Sequence, residues 1–396
     1  MSTQHLDSRT PEWHDDKRWL WLLGPGIPLL VLTALSVFWL SGQGAALVWI
    51  GPVLVYLVIP LLDIGCGEDR QNPPESVIAS LEQDRYYRVL VAAYLPSQFA
   101  ITVLGCALVA SQSLPLWHLI GLVLTVGTIN GIGINSAHEL GHKKTRWERG
   151  LARLAFVPVA YGHFFIEHNQ GHHVRVATPE DPASARMGES FWRFLPRTLL
   201  GSVRSAWRIE RLRLERAGSG AFSWGNRVLQ SLLLTTLFFG GLTALFGWSV
   251  LPFLLLQALY GISLLEVINY IEHYGLLRER GANGQYERCQ PRHSWNSNHR
   301  VTNLVLYHLQ RHSDHHANPT RRYQSLRHFD ESPQLPSGYA SLLIPAYLPF
   351  WWFRLMDKRV HRHYDGDIRR ANLQPGRTRT LLRRWPPPTK VPGQAT

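Results

Sequence analysis

The chain of 396 residues contains only three cysteines, Cys66, Cys106 and Cys289, and no two of them form a Cys-x-x-Cys pair. A disulfide framework needs an even set of cysteines, and thiolate iron or zinc sites need several at short spacing. Both are excluded, so any bound metal must rest on histidine and carboxylate side chains. Histidine itself is abundant, with 19 residues.

The first 18 residues lack the features of a cleavable signal peptide, which are a positive start, a short apolar core and a small-residue cleavage site. We therefore expect the first membrane helix to serve as the targeting signal.

Charge is almost absent from three long stretches, in which Glu266 is the one charged residue. Each stretch has a polar or glycine break near its middle, and each half approaches the roughly 20 residues that span a bilayer. The sequence therefore predicts three transmembrane hairpins, or six helices. The stretches cover residues 19–62, 89–137 and 228–271, with breaks at 41–44, 111–113 and 247–248.

Lysine and arginine lie on only one side of the predicted helices: before helix 1, between helices 2 and 3, between helices 4 and 5, and after helix 6. By the positive-inside rule, both termini and the charged segments face the cytoplasm, which predicts a multi-pass protein of a bacterial-type inner membrane. We therefore attribute the net charge of +13 to orientation of the protein in the membrane and to docking of a partner, rather than to nucleic-acid binding. Apolar patches at 151–166 and 342–353 are too interrupted by proline and glycine to predict spans.

The predicted fold class is an all-α integral membrane protein, a six-helix bundle with a cytoplasmic helical cap that carries a histidine-rich metal site. Its segments are a cytoplasmic N-terminus (1–18), helices 1 to 4 with the first histidine motif (19–142), a cytoplasmic segment with the second (143–227), helices 5 and 6 (228–273), a cytoplasmic segment with the third (274–376), and a flexible basic, proline-rich tail (377–396).

Three histidine motifs repeat one spacing. His138 and His142 in HELGHK are four residues apart, so on a helix both rings project from one face and can share an ion. The motif EHNQGHH repeats this spacing at His168 and His172, and LQRHSDHH repeats it at His312 and His316. The predicted topology brings all three motifs to one depth at the cytoplasmic boundary.

The motifs and the end of helix 6 together supply nine candidate metal ligands. One zinc needs three or four ligands, whereas nine divide naturally between two ions of higher coordination number, and redox-active iron suits imidazole with open positions for O2. The candidates are His138, His142, His168, His172, His173, His273, His312, His315 and His316.

Carboxylates beside these histidines are expected to orient the imidazoles, because a metal-bound ring usually donates its other N–H to a carboxylate or carbonyl. Direct ligation by any of them stays open. The candidates are Glu139, Glu167, Glu272 and Asp314. Four other histidines lack the repeated spacing and are interpreted as structural or surface residues, namely His163, His293, His299 and His308.

These motifs, together with VATPEDPASAR after the second one and NYIEHYGL around His273, resemble the histidine boxes and HYG motif of membrane-bound alkane monooxygenases. The resemblance implies a non-haem diiron enzyme that uses O2 to hydroxylate the terminal methyl of medium-chain n-alkanes. It also implies that the nine histidines bind two irons, and that rubredoxin delivers electrons from an NAD(P)H-dependent reductase. The four cysteines of the fused rubredoxin found in some members are missing here.

Basic residues near the first and third motifs are candidates for docking an acidic electron donor by electrostatic steering. They are Lys143, Lys144, Arg146, Arg149, Arg321, Arg322 and Arg327.

Three alternatives stay open on the sequence. Histidine boxes also occur in membrane desaturases and fatty-acid hydroxylases. An intramembrane zinc protease could use His138 and His142 as ligands and Glu139 as base, but it would leave most of the other histidines idle. A metal transporter would place its ligands near the bilayer midplane, whereas here they crowd one edge.

Overall fold

A computed structural model describes residues 13–388, and within that range every regular element is a helix. Six helices are long and apolar enough to cross a membrane, which confirms the three predicted hairpins. The six spans are α1 (Arg18–Ser41), α2 (Ala45–Cys66), α4 (Arg85–Ser111), α5 (Leu116–Gly141), α9 (Arg227–Phe246) and α10 (Val250–His273). A short helix, α3 (Ile78–Gln83), lies between α2 and α4, and three further helices, α6 to α8, lie between α5 and α9.

The hairpin turns form where the sequence breaks were expected. Gly42, with φ of 65°, ends α1, and Gly247, with φ of 89°, ends α9; both are backbone conformations that favour glycine. Gln112 is extended after α4, and Pro115 directly precedes α5, where its missing N–H costs no helical hydrogen bond.

Helices α5 and α10 pack closely at the centre of the bundle, and glycine permits the contact. A Cβ atom on Gly261 would lie 3.0 Å from the carbonyl oxygen of Gly127, and one on Gly131 would lie 3.1 Å from the carbonyl oxygen of Gly261. Asn130 Nδ2 also donates to Gln257 Oε1 over 2.7 Å across this interface. The contact fixes the relative positions of His138 and His273, which lie in the last turns of these two helices.

The remaining α-helices lie between and after these spans along the chain. They are α6 (Arg146–Ala155), α7 (residues 164–175), α8 (Phe191–Arg216), α11 (Arg300–Val305), α12 (His312–Ala317), α13 (Tyr339–Tyr347), α14 (Pro349–His363) and α15 (Thr378–Arg384). Neither apolar patch forms a candidate span in the described part of the chain. Buried Phe156, Phe165 and Ile166 show that the first patch belongs to the interior.

The tail departs from its prediction in part. Residues 378–384 form α15, in which Leu381 is buried against Gly188, and Arg377 Nη1 donates to the carbonyl oxygen of Gly188 over 3.1 Å. These contacts attach the start of the predicted flexible tail to the rest of the fold. The predicted segments 1–12 and 389–396 lie outside the described residues.

Candidate metal centre

The structure brings the nine predicted histidines together in two groups, in each of which one ring nitrogen per residue lies within 4.8 Å of the others. We call them the five-histidine cluster and the four-histidine cluster. The five-histidine cluster consists of His138, His142, His168, His173 and His315, and the four-histidine cluster of His172, His273, His312 and His316.

Close contacts between ring nitrogens define the centre of each cluster. In the five-histidine cluster, His173 Nε2 lies 3.0 Å from His168 Nε2 and 3.1 Å from His315 Nε2. In the four-histidine cluster, His312 Nε2 lies 2.9 Å from His316 Nε2 and 3.3 Å from His273 Nε2. The rings therefore point their Nε2 atoms inward.

A π-helical turn distributes the second motif between the clusters. Residues His168–His172 adopt this wider turn within α7, so the residue that returns to the face of His168 is His173, five positions on. His172 turns to the other cluster, and the expected pairing of His168 with His172 through an i, i+4 spacing is wrong. The pairs His138–His142 and His312–His316 lie as their spacing predicts.

The nitrogen atoms fit a bound cation better than a hydrogen-bond network. A neutral imidazole has one donor and one acceptor, and five or four inward-facing nitrogens cannot all pair with one another. The Nε2 atoms of His138, His142 and His172 are buried without a hydrogen-bond partner among residues 13–388. Two nitrogens bound at right angles to one ion at about 2.1 Å would lie about 3 Å apart, close to the separations found here.

For six of the histidine rings that lie outside the membrane spans, the surroundings keep the ring in the neutral form that binds metal. Burial, together with repulsion between neighbouring rings, lowers the pKa values of these imidazoles well below the usual range. Neutral imidazole is the species that binds a metal ion. The rings concerned are His142, His168, His173, His312, His315 and His316.

Asp181 is a functional candidate that sequence reasoning missed. Its Oδ2 atom accepts from His172 Nδ1 over 2.9 Å and from Ser184 Oγ over 2.6 Å, and the whole side chain is buried. This contact fixes the proton on Nδ1 and leaves His172 Nε2 free to face its cluster. The signal was present in the VATPEDPASAR segment, but nothing in its spacing connects Asp181 to a histidine nine residues earlier.

Of the four predicted carboxylates, Glu272 reaches a cluster. Its Oε2 atom lies 3.2 Å from His312 Nε2, on the side of the ring that faces the other nitrogens. Glu139 instead pairs with Lys143 Nζ over 2.8 Å and accepts from the backbone N–H of Tyr323 over 3.2 Å. Both contacts are made by Oε1, and they connect Glu139 to the segment that follows the third motif.

Glu167 and Asp314 form ion pairs with arginine side chains. Glu167 Oε1 accepts from Arg175 over 2.7 Å, and burial raises the pKa of this carboxyl to about 7. Asp314 Oδ2 accepts from Arg321 over 2.7 Å and from the backbone N–H of Arg327 over 2.9 Å. Among the described contacts, both carboxylates therefore hold the segments that carry the histidines rather than the rings themselves.

A mostly apolar cavity adjoins both clusters. Its polar wall includes His138 and His168 of the five-histidine cluster, His312 of the four-histidine cluster, and Glu272. The rest of the wall is mainly aliphatic and comes from α2, α5, α10, α11, α13 and the segment that follows α11. These aliphatic residues include Val55, Ile59, Leu264, Leu265, Ile268, Val305, Leu306, Leu309 and Leu343.

The basic residues predicted to dock a partner differ in availability. Lys143 is buried against Glu139, so it is not an exposed docking charge and that assignment is corrected. Arg321, Arg322 and Arg327 form ion pairs with Asp314, Glu148 and Glu75, respectively. Lys144, Arg146 and Arg149 are exposed and form no ion pair with another described residue.

The four histidines set aside lie outside both clusters. His308 Nδ1 contacts the carbonyl oxygen of Tyr323 at 3.0 Å, and His293 Nε2 contacts Glu287 at 3.1 Å. His299 Nδ1 lies 2.8 Å from Ser297 Oγ, and the ring of His163 packs edge-on against Tyr161. Hydrogen bonds account for His293, His299 and His308, whereas His163 Nε2 is buried without a partner in residues 13–388.

Comparison with known proteins agrees with this site. The fatty acid desaturase family model matches residues 115–342, which contain all nine histidines. The chain is 48% identical to an alkane 1-monooxygenase of Acinetobacter baylyi over 94% of its own length and 91% of that protein. It is 46% identical to alkane 1-monooxygenase 1 of Alcanivorax borkumensis over 93% of its own length and 91% of that protein. It is 44% identical to an alkane 1-monooxygenase of Ectopseudomonas oleovorans over 96% of its own length and 94% of that protein. The chain therefore belongs to the alkane 1-monooxygenase family, within the wider group that the fatty acid desaturase model describes.

Proposed function

We propose that this enzyme hydroxylates the terminal methyl group of medium-chain n-alkanes to give primary alcohols, with O2 as the oxidant. The observation that carries the proposal is the aliphatic cavity whose polar wall includes histidines of both clusters. Its relatives are named for alkane monooxygenation, and the cavity offers the apolar surface that such a substrate needs.

Two non-haem iron ions would occupy the clusters, held by the nine histidines, with Glu272 as a candidate further ligand in the four-histidine cluster. When bound, the iron pair supplies the two-electron activation of O2 that the oxidation of an unactivated C–H bond requires. The protein holds neutral imidazoles in place and, through Asp181, fixes the orientation of His172.

The cavity would bind the alkane by apolar burial alone, because the substrate offers no polar group. Each methylene transferred from water contributes about 0.8 kcal/mol, so chain length translates directly into affinity. Leu264, Leu265 and Ile268 lie on α10, whose C-terminal end carries His273, and they can align the chain along that helix. The same aliphatic wall excludes water from the reacting end.

We propose that electrons come from rubredoxin, reduced in turn by an NAD(P)H-dependent reductase, at the inner membrane with both termini in the cytoplasm. The exposed charges of Lys144, Arg146 and Arg149 follow directly after the first histidine motif and support docking of an acidic protein there. The distribution of lysine and arginine supports the orientation.

The test is product analysis with purified protein, rubredoxin and reductase. Octane should give 1-octanol, and His315→Ala should abolish product while His163→Ala, a histidine outside the clusters, should retain it. A desaturase would leave octane unchanged and introduce a double bond into a fatty acyl substrate, and that result would refute the proposal.

A further inference from the structure

Glu266 is a buried carboxylate inside a membrane-spanning helix, and it belongs to neither histidine cluster. Its side chain is 1% exposed in α10, where an ionisable group is costly and usually functional. Tyr161 Oη donates to Glu266 Oε1 over 2.8 Å, and Thr198 Oγ1 donates to Oε2 over 2.9 Å. Asn269 Nδ2 donates to Oε2 over 3.3 Å.

Asn269 connects this carboxylate to the cavity. It lies one helical turn after Glu266 on α10 and is part of the cavity wall, together with Glu272 and His312. The Asn269 side chain is therefore all that separates the Glu266 carboxyl from the space beside the clusters along this helix face.

On its other side, Glu266 meets a row of hydroxyl groups on α8. Thr198, Ser202 and Ser205 are spaced by four and three residues, so they share one face of that helix. Ser202 is 4% exposed, and its Oγ atom lies beside the Tyr161 hydroxyl group without a close hydrogen bond to any atom of residues 13–388. Ser205 Oγ accepts from Arg175 Nη2 over 2.7 Å, and the Arg175 side chain is 30% exposed.

We propose that Glu266 and the hydroxyl groups of Thr198, Ser202 and Ser205 form a proton path from the polar edge at Arg175 to the cavity. Hydroxyl groups one helical turn apart are about 5–6 Å from each other at Cβ, a spacing that one bridging water molecule would span. The unpaired hydroxyl of Ser202 is the position where such a water would bind.

The proposal rests on the proposed function, because alkane hydroxylation consumes protons. One oxygen atom of O2 enters the C–H bond to give the alcohol, and the other leaves as water, which takes up two protons and the two electrons from the rubredoxin-class donor. An apolar cavity cannot supply those protons itself, so the enzyme needs a polar route to it.

The decisive variant is Ser202→Ala, because it removes a hydroxyl group that has no described partner and leaves the packing unchanged. We expect octane turnover to fall by about tenfold and the solvent deuterium isotope effect on turnover to rise. Glu266→Gln should lower turnover by about 100-fold. The matched control is Ser332→Ala, which removes another buried serine hydroxyl without a described partner, away from α8. It should behave as wild type.

A second readout does not depend on turnover. In metal-free protein, the infrared C=O band of the protonated Glu266 carboxyl, identified by its loss in Glu266→Gln, should shift rapidly on transfer to D2O and more slowly in Ser202→Ala. Iron content and thermal unfolding of Ser202→Ala should equal those of wild type.

The path would be refuted if Ser202→Ala had the same turnover, isotope effect and infrared exchange rate as wild type. An inactive Glu266→Gln variant would not rescue it, because Glu266 would then have a structural role only. If wild-type protein makes no octanol, the proposed function fails, and the infrared comparison still decides whether the path exists.

Discussion

Replacing Asp181 tests how the second histidine motif holds its metal. Asp181→Asn keeps the shape of the side chain but removes the charge that accepts from His172 Nδ1 over 2.9 Å. A hydrogen bond to a charged group contributes about 1.5–3 kcal/mol, and tenfold in affinity corresponds to about 1.4 kcal/mol. The variant should therefore bind metal about 10- to 100-fold more weakly, which agrees with the usual effect of removing a partner of a ligating histidine.

The loss should fall on one of two metal positions. His172 belongs to the four-histidine cluster, so only that position should weaken while the five-histidine cluster keeps its affinity. The assay is a titration of metal-free, detergent-purified protein with ferrous iron against a competing chelator. Glu180→Gln is the matched control, because Glu180 is the neighbouring carboxylate but is half exposed and pairs with Arg280. Two unchanged affinities in Asp181→Asn, or an equal loss at both positions, would refute the reasoning.

Three further predictions concern the cavity, the fold and the docking surface. Leu264→Phe narrows the aliphatic wall, so gas chromatography of a mixed alkane assay should show longer substrates lost before shorter ones, and an unchanged product profile would contradict this. Burial opposes ionisation of Glu210, but hydrogen bonds from two arginine side chains outweigh burial and lower the pKa of Glu210 to about 2. The ionised Glu210 side chain therefore stabilises the fold fully above its unfolded pKa, and this stabilisation disappears as the pH falls toward 2. Glu210→Gln should accordingly lower stability by about 1–2 kcal/mol at pH 7, and the difference in thermal midpoint should shrink at pH 3; a constant difference would argue against the ion pairs. Reversing the charges of Lys144, Arg146 and Arg149 to glutamate should lower rubredoxin-dependent turnover about tenfold in low salt but spare turnover with a small chemical reductant, and an equal loss in both assays would exclude docking there.

The six spans were predictable because membrane helices must be uncharged over a known length, a constraint that acts locally on the sequence. The nine histidines were recognisable for a similar reason, since helical spacing brings His138 to His142 and His312 to His316. The same rule gave the wrong pairing for His168, because a π-helical turn changes the residue that shares its face from position i+4 to i+5. Spacing rules assume a regular helix, and the sequence gives no signal of the wider turn.

The folding of loops and the packing of segments against one another account for what the sequence could not show. Asp181 reaches His172 because the loop after α7 folds back, with Ala177 at φ of 54° and its backbone N–H donating to Ser184. Lys143 stands in a basic run that suggests an exposed surface. It is instead buried against Glu139, one helical turn earlier, and donates to the carbonyl oxygen of Arg321, which follows the third motif. In both cases the partner is set by tertiary packing.

The metal content of the purified chain tests the central proposal most directly. Elemental analysis of protein purified without added chelator should give two irons per chain, and removing one ligand from either cluster, with His315→Ala or His316→Ala, should reduce that number. One zinc and no iron per chain, or full iron retention in both variants, would contradict the assignment of the two histidine clusters as a diiron centre.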